Sequence, residues 1–178
     1  MKRKIRKETL KKRDNMSLEK REESDLIILK NLKNYTENYN VVAVYVSVKS
    51  EVDTCKFIEY LFKKGTTVVV PKVNGKQMNF IKIESFNELK PSIFNLLEPI
   101  SDIPFNINDI DCFIVPLVAF CKEKYRIGYG GGYYDSTLKE SSAKKIAIAY
   151  DCQEVSTFKK DNFDIDMDVI ITPSRIYH

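Results

Sequence analysis

Two kinds of spacing divide the chain. From Leu18 to about Lys33, apolar residues at Leu18, Leu26, Leu29 and Leu32 predict an amphipathic helix. Ser17, just before it, is a good N-cap, and Glu19 suits the first turn. Residues 2–15 hold few breakers and many long side chains, which predicts an earlier helix that Met16-Ser17 closes. Val41 to Val48 is instead a β-branched run, the pattern of a strand buried on both faces. Asp53 can cap a helix from Thr54 to Lys64, which Gly65 would end. Thr67 to Pro71 reads as a short strand, and Asn74-Gly75 as a hairpin turn into Gln77–Ile83.

Residues 84–108 concentrate proline, asparagine and serine and predict a connection with one short helix. Cys112 to Val115 reads as a strand stopped by Pro116. A glycine-rich loop and a helix from about Gly132 to Glu140 follow, then strands at Lys145–Tyr150 and Val169–Thr172. Apolar strands alternating with helices predict an α/β fold. The expected architecture is one domain over residues 1–178, in three layers, with a mostly parallel central sheet flanked by helices. Such sheets bind ligands beyond the carboxyl ends of their strands. The loops after Val48, Pro71, Pro116 and Tyr150 are therefore where chemistry is expected.

Composition narrows the chemistry. The chain has 178 residues, 43% hydrophobic and 30% charged, with a net charge of +4. That charge is too small to suggest a nucleic-acid binder. The excess is local: Lys2, Arg3, Lys4, Arg6, Lys7, Lys11, Lys12 and Arg13 face one acid, Glu8. No apolar core follows this start, so it does not read as a secretory signal, and no segment reads as membrane-spanning; a cytoplasmic location is expected. The four cysteines are widely spaced, without paired metal spacing. The single histidine is His178, which excludes Ser-His-Asp, Cys-His and multi-histidine zinc chemistry within the fold.

The stretch Arg126 to Asp135 carries the strongest chemical signal. Four of the six glycines, Gly128, Gly130, Gly131 and Gly132, fall within five residues. Glycines allow close backbone approach, so exposed N–H groups can cradle phosphates. An arginine opens the run and Asp135 closes it, a cation for the anion and a carboxylate for Mg²⁺. It is neither a Walker A loop nor a dinucleotide fingerprint. A tight structural turn is the plainer alternative, but the adjacent arginine, Tyr129, Tyr133, Tyr134 and Asp135 favour a ligand loop. The tyrosines can equally pack in the core or stack on a flat heterocycle. Lys2 and Arg6, four apart, share a helical face that either is solvated or clamps outer phosphates. Glu51 and Asp53 follow the first strand on the expected ligand side. Asp164, Asp166 and Asp168 precede the last strand, and Asp135 and Asp168 are the better metal candidates.

These residues resemble the 5-formyltetrahydrofolate cyclo-ligase family, whose loop reads Arg-Leu-Gly-x-Gly-x-Gly-Tyr-Tyr-Asp. Residues 126–135 match with one conservative change, Ile127. Lys2 to Arg6 resembles the family's Lys-x-x-x-Arg element, and Glu51 to Thr54 its Glu-x-Asp/Glu-Thr element. Pro116 to Phe120 and Asp164 to Thr172 are similar to two further elements. Leu117 and Lys124 stand where glycines are usual, Cys121 where aspartate is, and Phe163 where many members have histidine. The resemblance implies ATP- and Mg²⁺-dependent conversion of 5-formyltetrahydrofolate to 5,10-methenyltetrahydrofolate, with release of ADP and phosphate. It implies that Lys2, Arg3, Lys4, Arg6 and the run Arg126, Gly128, Tyr129, Gly130, Gly131, Gly132 and Tyr134 hold the nucleotide. Asp135 and Asp168 would hold Mg²⁺; Val48, Asp53 and Tyr133 would contact the folate; Arg126 and Tyr133 would serve catalysis. A monomer acting on a small molecule is expected, with neither nucleic acid nor membrane as partner. The alternatives are a non-catalytic nucleotide- or folate-binding module and a nucleic-acid binder using the basic first helix, which would bind in a salt-sensitive way.

Overall fold

Strands buried on both faces form the centre of the computed structural model, which describes residues 1–92 and 96–178. Helices α1 (Lys2–Asp14) and α2 (Leu18–Tyr35) lead into β1 (Val41–Val44), then α3 (Cys55–Lys64), β2 (Thr67–Asn74) and β3 (Gln77–Ile83). Two short pairs follow on either side of a core strand: β4 (Leu89–Pro91) with β5 (Leu97–Pro99), β6 (Cys112–Val115), and β7 (Ala119–Phe120) with β8 (Arg126–Ile127). The chain closes with α4 (Tyr133–Leu138), β9 (Lys144–Ile148), β10 (Val169–Ile171) and β11 (Ile176–Tyr177).

The main sheet has seven strands in the order β11-β10-β9-β6-β1-β2-β3. Its five inner strands are parallel, and only the edge strands β3 and β11 run antiparallel. Side chains alternate across a strand. Val42, Val44, Val68 and Ile114 therefore meet Ile28 and Leu32 of α2 and Phe57, Ile58 and Leu61 of α3 on one face. Ala43, Val69, Phe113 and Ala147 meet Leu138 of α4 and Phe80 on the other. The expected α/β class, with helices on both faces of a mostly parallel sheet, is what the structure shows. No helix among the described residues is long and apolar enough to cross a membrane.

Several local expectations need correction. The buried stripe of α2 is Ser24, Ile28 and Leu32, while Leu18 and Leu26 are 71% and 56% exposed. At 3.6 residues per turn, Leu26 lies about 160° around the helix from Ile28, so one helix cannot bury both. Strand β1 stops at Val44 rather than Val48. Beyond it the fully buried Thr54 takes over: its hydroxyl donates to the Tyr45 carbonyl (2.7 Å) and accepts from the Ser47 amide (3.0 Å). A side chain thus replaces the ladder and turns the backbone out at the carboxyl edge. The connection after β3 holds two 3₁₀ turns, Phe86–Glu88 and Ile107–Asp109, and the β4–β5 pair, rather than one helix. Its residues 93–95 lie outside the described residues.

Candidate active site

The glycine run joins β8 to α4 at the carboxyl edge of the sheet. Gly130 (φ 108°) and Gly132 (φ 70°) occupy the left-handed region that side chains avoid. Close approach matters as much as backbone angle. A Cβ on Gly131 would stand 2.7 Å from the Tyr133 ring, and one on Gly128 3.1 Å from Nη1 of Arg126. Arg126 is 6% exposed, and its Nη2 donates to Oδ1 of Asp135 at 2.8 Å. The same oxygen accepts from the Ile165 amide (3.1 Å). The run's two terminal charges therefore brace each other.

Helix α1 lies along this run. Arg6 Nε donates to the Gly128 carbonyl at 2.7 Å. Lys2 Nζ donates to Asp161 (2.7 Å) and Asp164 (2.5 Å). Burial alone would lower the lysine's pKa, but the two carboxylates outweigh it and hold it above its ordinary value. Burial opposes Asp164 too, yet the Lys2 partner and the Asp161 amide pull its carboxyl below the usual range. Ile5 anchors the helix beside Ile127 and Phe158. Arg3 and Lys4 are exposed, and Lys4 approaches only Glu8 (3.9 Å). The structure thus brings Lys2 and Arg6 towards the run and leaves Arg3 and Lys4 away from it.

At its other end, α1 reaches the loop after β1. Arg13 donates through Nε to Ser50 Oγ (3.0 Å) and through Nη2 to the Tyr129 hydroxyl (3.0 Å). Tyr129 donates onward to Glu51 Oε1 at 2.5 Å, and the Val48 amide donates to Glu51 Oε2 at 2.9 Å. Thr54 rather than Asp53 is the N-cap of α3, which starts at Cys55; Asp53 still takes up the first helical amide, its Oδ1 accepting from the Cys55 amide at 3.0 Å. Tyr150 donates to Asp25 of α2 (2.7 Å), whose carboxyl is raised by burial. Val48, Asp53 and Tyr129 therefore lie together around Glu51, at the end of α1 away from Lys2.

Other expected residues sit apart. The Tyr133 hydroxyl donates to the carbonyl of Gly75 in the β2–β3 turn (3.1 Å). Tyr134 buries its hydroxyl without a protein partner among the described residues, and burial pushes its phenol well up. Asp168 accepts the Lys145 amide at the start of β9 (2.7 Å), at the amino edge of the sheet. Asp135 and Asp168 thus face different partners. Among the described residues, no three His, Cys, Asp or Glu side chains gather as a metal-holding group. Oδ2 of Asp135 makes no protein hydrogen bond among those residues. One free carboxylate oxygen beside a glycine run is a donor that suits Mg²⁺, which takes one or two carboxylates plus further oxygens.

Sequence reasoning missed Arg13, the acidic pair on Lys2, and Asp25 with Tyr150. Arg13 had a readable signal. Lys2, Arg6, Thr9 and Arg13 are spaced i, i+4, i+7, i+11, one stripe of a helix. Thr9 and Arg13 are both buried, so that stripe faces protein.

Comparisons with known proteins agree with the geometry. The profile of the 5-formyltetrahydrofolate cyclo-ligase family matches residues 1–173. A 5-formyltetrahydrofolate cyclo-ligase of Escherichia coli K12 is 32% identical over 146 residues, covering 78% of this chain and 80% of that protein. The Mycoplasma genitalium cyclo-ligase is 37% identical over 134 residues, covering 73% and 70%. Among solved structures, a 5,10-methenyltetrahydrofolate synthetase of Aquifex aeolicus superposes with a TM-score of 0.88 at 34% identity, covering 98% of this chain and 91% of that one. One from Mycoplasma pneumoniae gives 0.81 at 32% identity, covering 97% and 98%.

Proposed function

The chain belongs to the 5-formyltetrahydrofolate cyclo-ligase family, and on that premise we propose that it converts 5-formyltetrahydrofolate to 5,10-methenyltetrahydrofolate with consumption of ATP. The terminal phosphoryl group of ATP moves to the formyl oxygen and makes it a leaving group. N10 of the folate attacks the activated carbon, the ring closes, and ADP and phosphate leave. This chemistry asks the protein for positioning and charge neutralisation rather than a covalent side chain. A chain whose one histidine is His178 can supply both.

Arg6, Lys2 and the amides of the glycine run bind the phosphates in this proposal. Lys2, bonded to Asp161 and Asp164, keeps one of an ammonium's three donors for the nucleotide. Arg126 stands behind the run and orients Asp135. Mg²⁺, when bound, neutralises phosphate charge. Asp135, with its free oxygen on the run, is the carboxylate that the geometry favours for it; Asp168, the second expected ligand, accepts the Lys145 amide at the amino edge and is left out of this arrangement. Val48, Asp53 and the ring of Tyr133 are assigned to the folate. All these groups come from one chain, which suits a monomer, and a cytoplasmic location is proposed with it.

The observation that carries the reading is the Arg6–Gly128 contact at 2.7 Å, which lays a basic helix over a glycine run. The test mixes the protein with 5-formyltetrahydrofolate, Mg²⁺ and ATP and follows near-ultraviolet absorbance of the methenyl product. Product only when ATP is present supports the reading. No product at any ATP concentration, from folded protein, rejects it.

A further inference from the structure

Arg13 has no part in the reading above, although it is only 4% exposed. No carboxylate reaches its guanidinium directly among the described residues; its partners are two hydroxyls, Ser50 and Tyr129. Taking such a charge out of water is costly unless it is answered. Here the answer arrives one hydroxyl away on each side. Ser50 donates on to Asp14, and Tyr129 donates on to Glu51. The guanidinium also lies 5.9 Å from the centre of the Tyr129 ring. A leucine would fill the same space without that cost, so packing does not account for an arginine there.

We propose that Arg13 is a positioning residue. Through the Tyr129 hydroxyl it fixes the Glu51 carboxylate and ties the glycine run to the loop after β1, so that the nucleotide and folate halves of the site keep one arrangement. What each half binds rests on the cyclo-ligase reading; the relay itself does not. Three features support it. Arg13, Tyr129 and Glu51 belong to three different segments, α1, the glycine run and the loop after β1. Both Glu51 oxygens are taken, one by Tyr129 and one by the Val48 amide, so its orientation is set. Val48 is itself a residue assigned to the folate.

The relay has a titratable consequence. Glu51 is faced by Arg13 from α1, Tyr129 from the run, Tyr134 from α4 and Tyr45 from the extension of β1. Tyr150 donates to its carbonyl (3.4 Å), with Asp25 of α2 one hydroxyl further and Asp14 beyond Ser50. Burial pushes the Glu51 carboxyl up; the Tyr129 hydroxyl, the Val48 amide and the Arg13 charge pull it down. Arg13 is the only cation in that set. Without it, Glu51 takes its proton at higher pH.

The test uses Arg13→Met, Arg13→Lys and Tyr129→Phe in the full chain. The Glu51 carboxyl is titrated by carbon NMR without substrate, and kcat and KM are measured across pH. In Arg13→Met, the Glu51 midpoint and the acid limb of the rate profile should both move to higher pH. Its kcat/KM for the folate should fall roughly tenfold or more, the scale of a misplaced reacting group. Arg13→Lys should restore the midpoint but not the rate, since an ammonium keeps the charge but lacks the rigid fork. If Arg13→Met does not fold, Tyr129→Phe carries the test by the same readouts, because it breaks the relay and leaves Arg13 packed. An unmoved midpoint in Arg13→Met and Tyr129→Phe overturns the proposal. So does a rate that falls equally at every pH. If wild-type protein gives no cyclo-ligase turnover, the functional reading fails, and the titration still decides the relay.

Discussion

Asp135 stands at the junction of stability and chemistry. Its Oδ1 holds a buried arginine and a backbone amide, while Oδ2 has no protein hydrogen bond among the described residues and carries the proposed metal role. Alanine there should cost about 3–5 kcal/mol, as breaking a buried ion pair does, read as a lower urea midpoint. Asparagine keeps an acceptor for Arg126 and the Ile165 amide, so its stability loss should be smaller. Its turnover should still collapse, by on the order of a hundredfold or more, through loss of the metal carboxylate. Wild-type turnover in Asp135→Asn would reject the metal role. The glycines and their flanking charges were readable because unusual backbone angles and close approach leave a composition signature. Arg13 was passed over despite its place on the Lys2–Arg6–Thr9 stripe, because a basic run on a helix ordinarily marks a solvated face. The substitution at Lys124 acquires a meaning only in three dimensions. Its φ of 64° lies in the region glycine favours, in the turn between β7 and β8, which explains why the family usually has glycine there.

Helix α1 behaves as a strap. It buries little apolar surface, with Ile5 its one packed hydrophobic residue in the cluster around Ile127, and is held mainly by Lys2, Arg6 and Arg13. The Lys2 end has a defined pH window. Asp164, held below 3.8, contributes stability above that value and loses it as pH falls through its lowered pKa. Lys2, held above 10.5, contributes below that value and loses it as pH rises through its raised pKa. The clamp is therefore intact at neutral pH, where a phosphate in the proposed site would compete with it. Lys2→Ala combined with Arg6→Ala should raise the KM for ATP severalfold more than the KM for the folate, since each charged phosphate contact is worth roughly 1.5–3 kcal/mol. An unchanged KM for ATP would remove α1 from the nucleotide site. At this scale the helices were legible from breakers and caps: Ser17 caps α2 through the Lys20 amide, and Gly65 ends α3 with φ 81°. The end of β1 was not, because Thr54, ten residues beyond Val44, supplies the bonds that stop it.

Across the molecule, the site forms where segments distant in sequence meet at the carboxyl edge of the sheet. The alternation of apolar strands and helices was enough to give the α/β class. Strand order was not, since the β-branched runs of β1, β2 and β9 are interchangeable until the crossovers are built. Nor could sequence separate the two candidate metal carboxylates, which the structure sets against different partners, Arg126 for Asp135 and the Lys145 amide for Asp168. The central claim is that α1 and the glycine run together grip a triphosphate. Its most direct test is a crystal structure with Mg²⁺ and a non-hydrolysable ATP analogue. The account predicts phosphate oxygens within hydrogen-bond distance of the Gly130–Gly132 amides and of the Arg6 guanidinium, with the metal against Asp135. A triphosphate bound elsewhere, with the run facing solvent and Arg6 still on Gly128 alone, would contradict it.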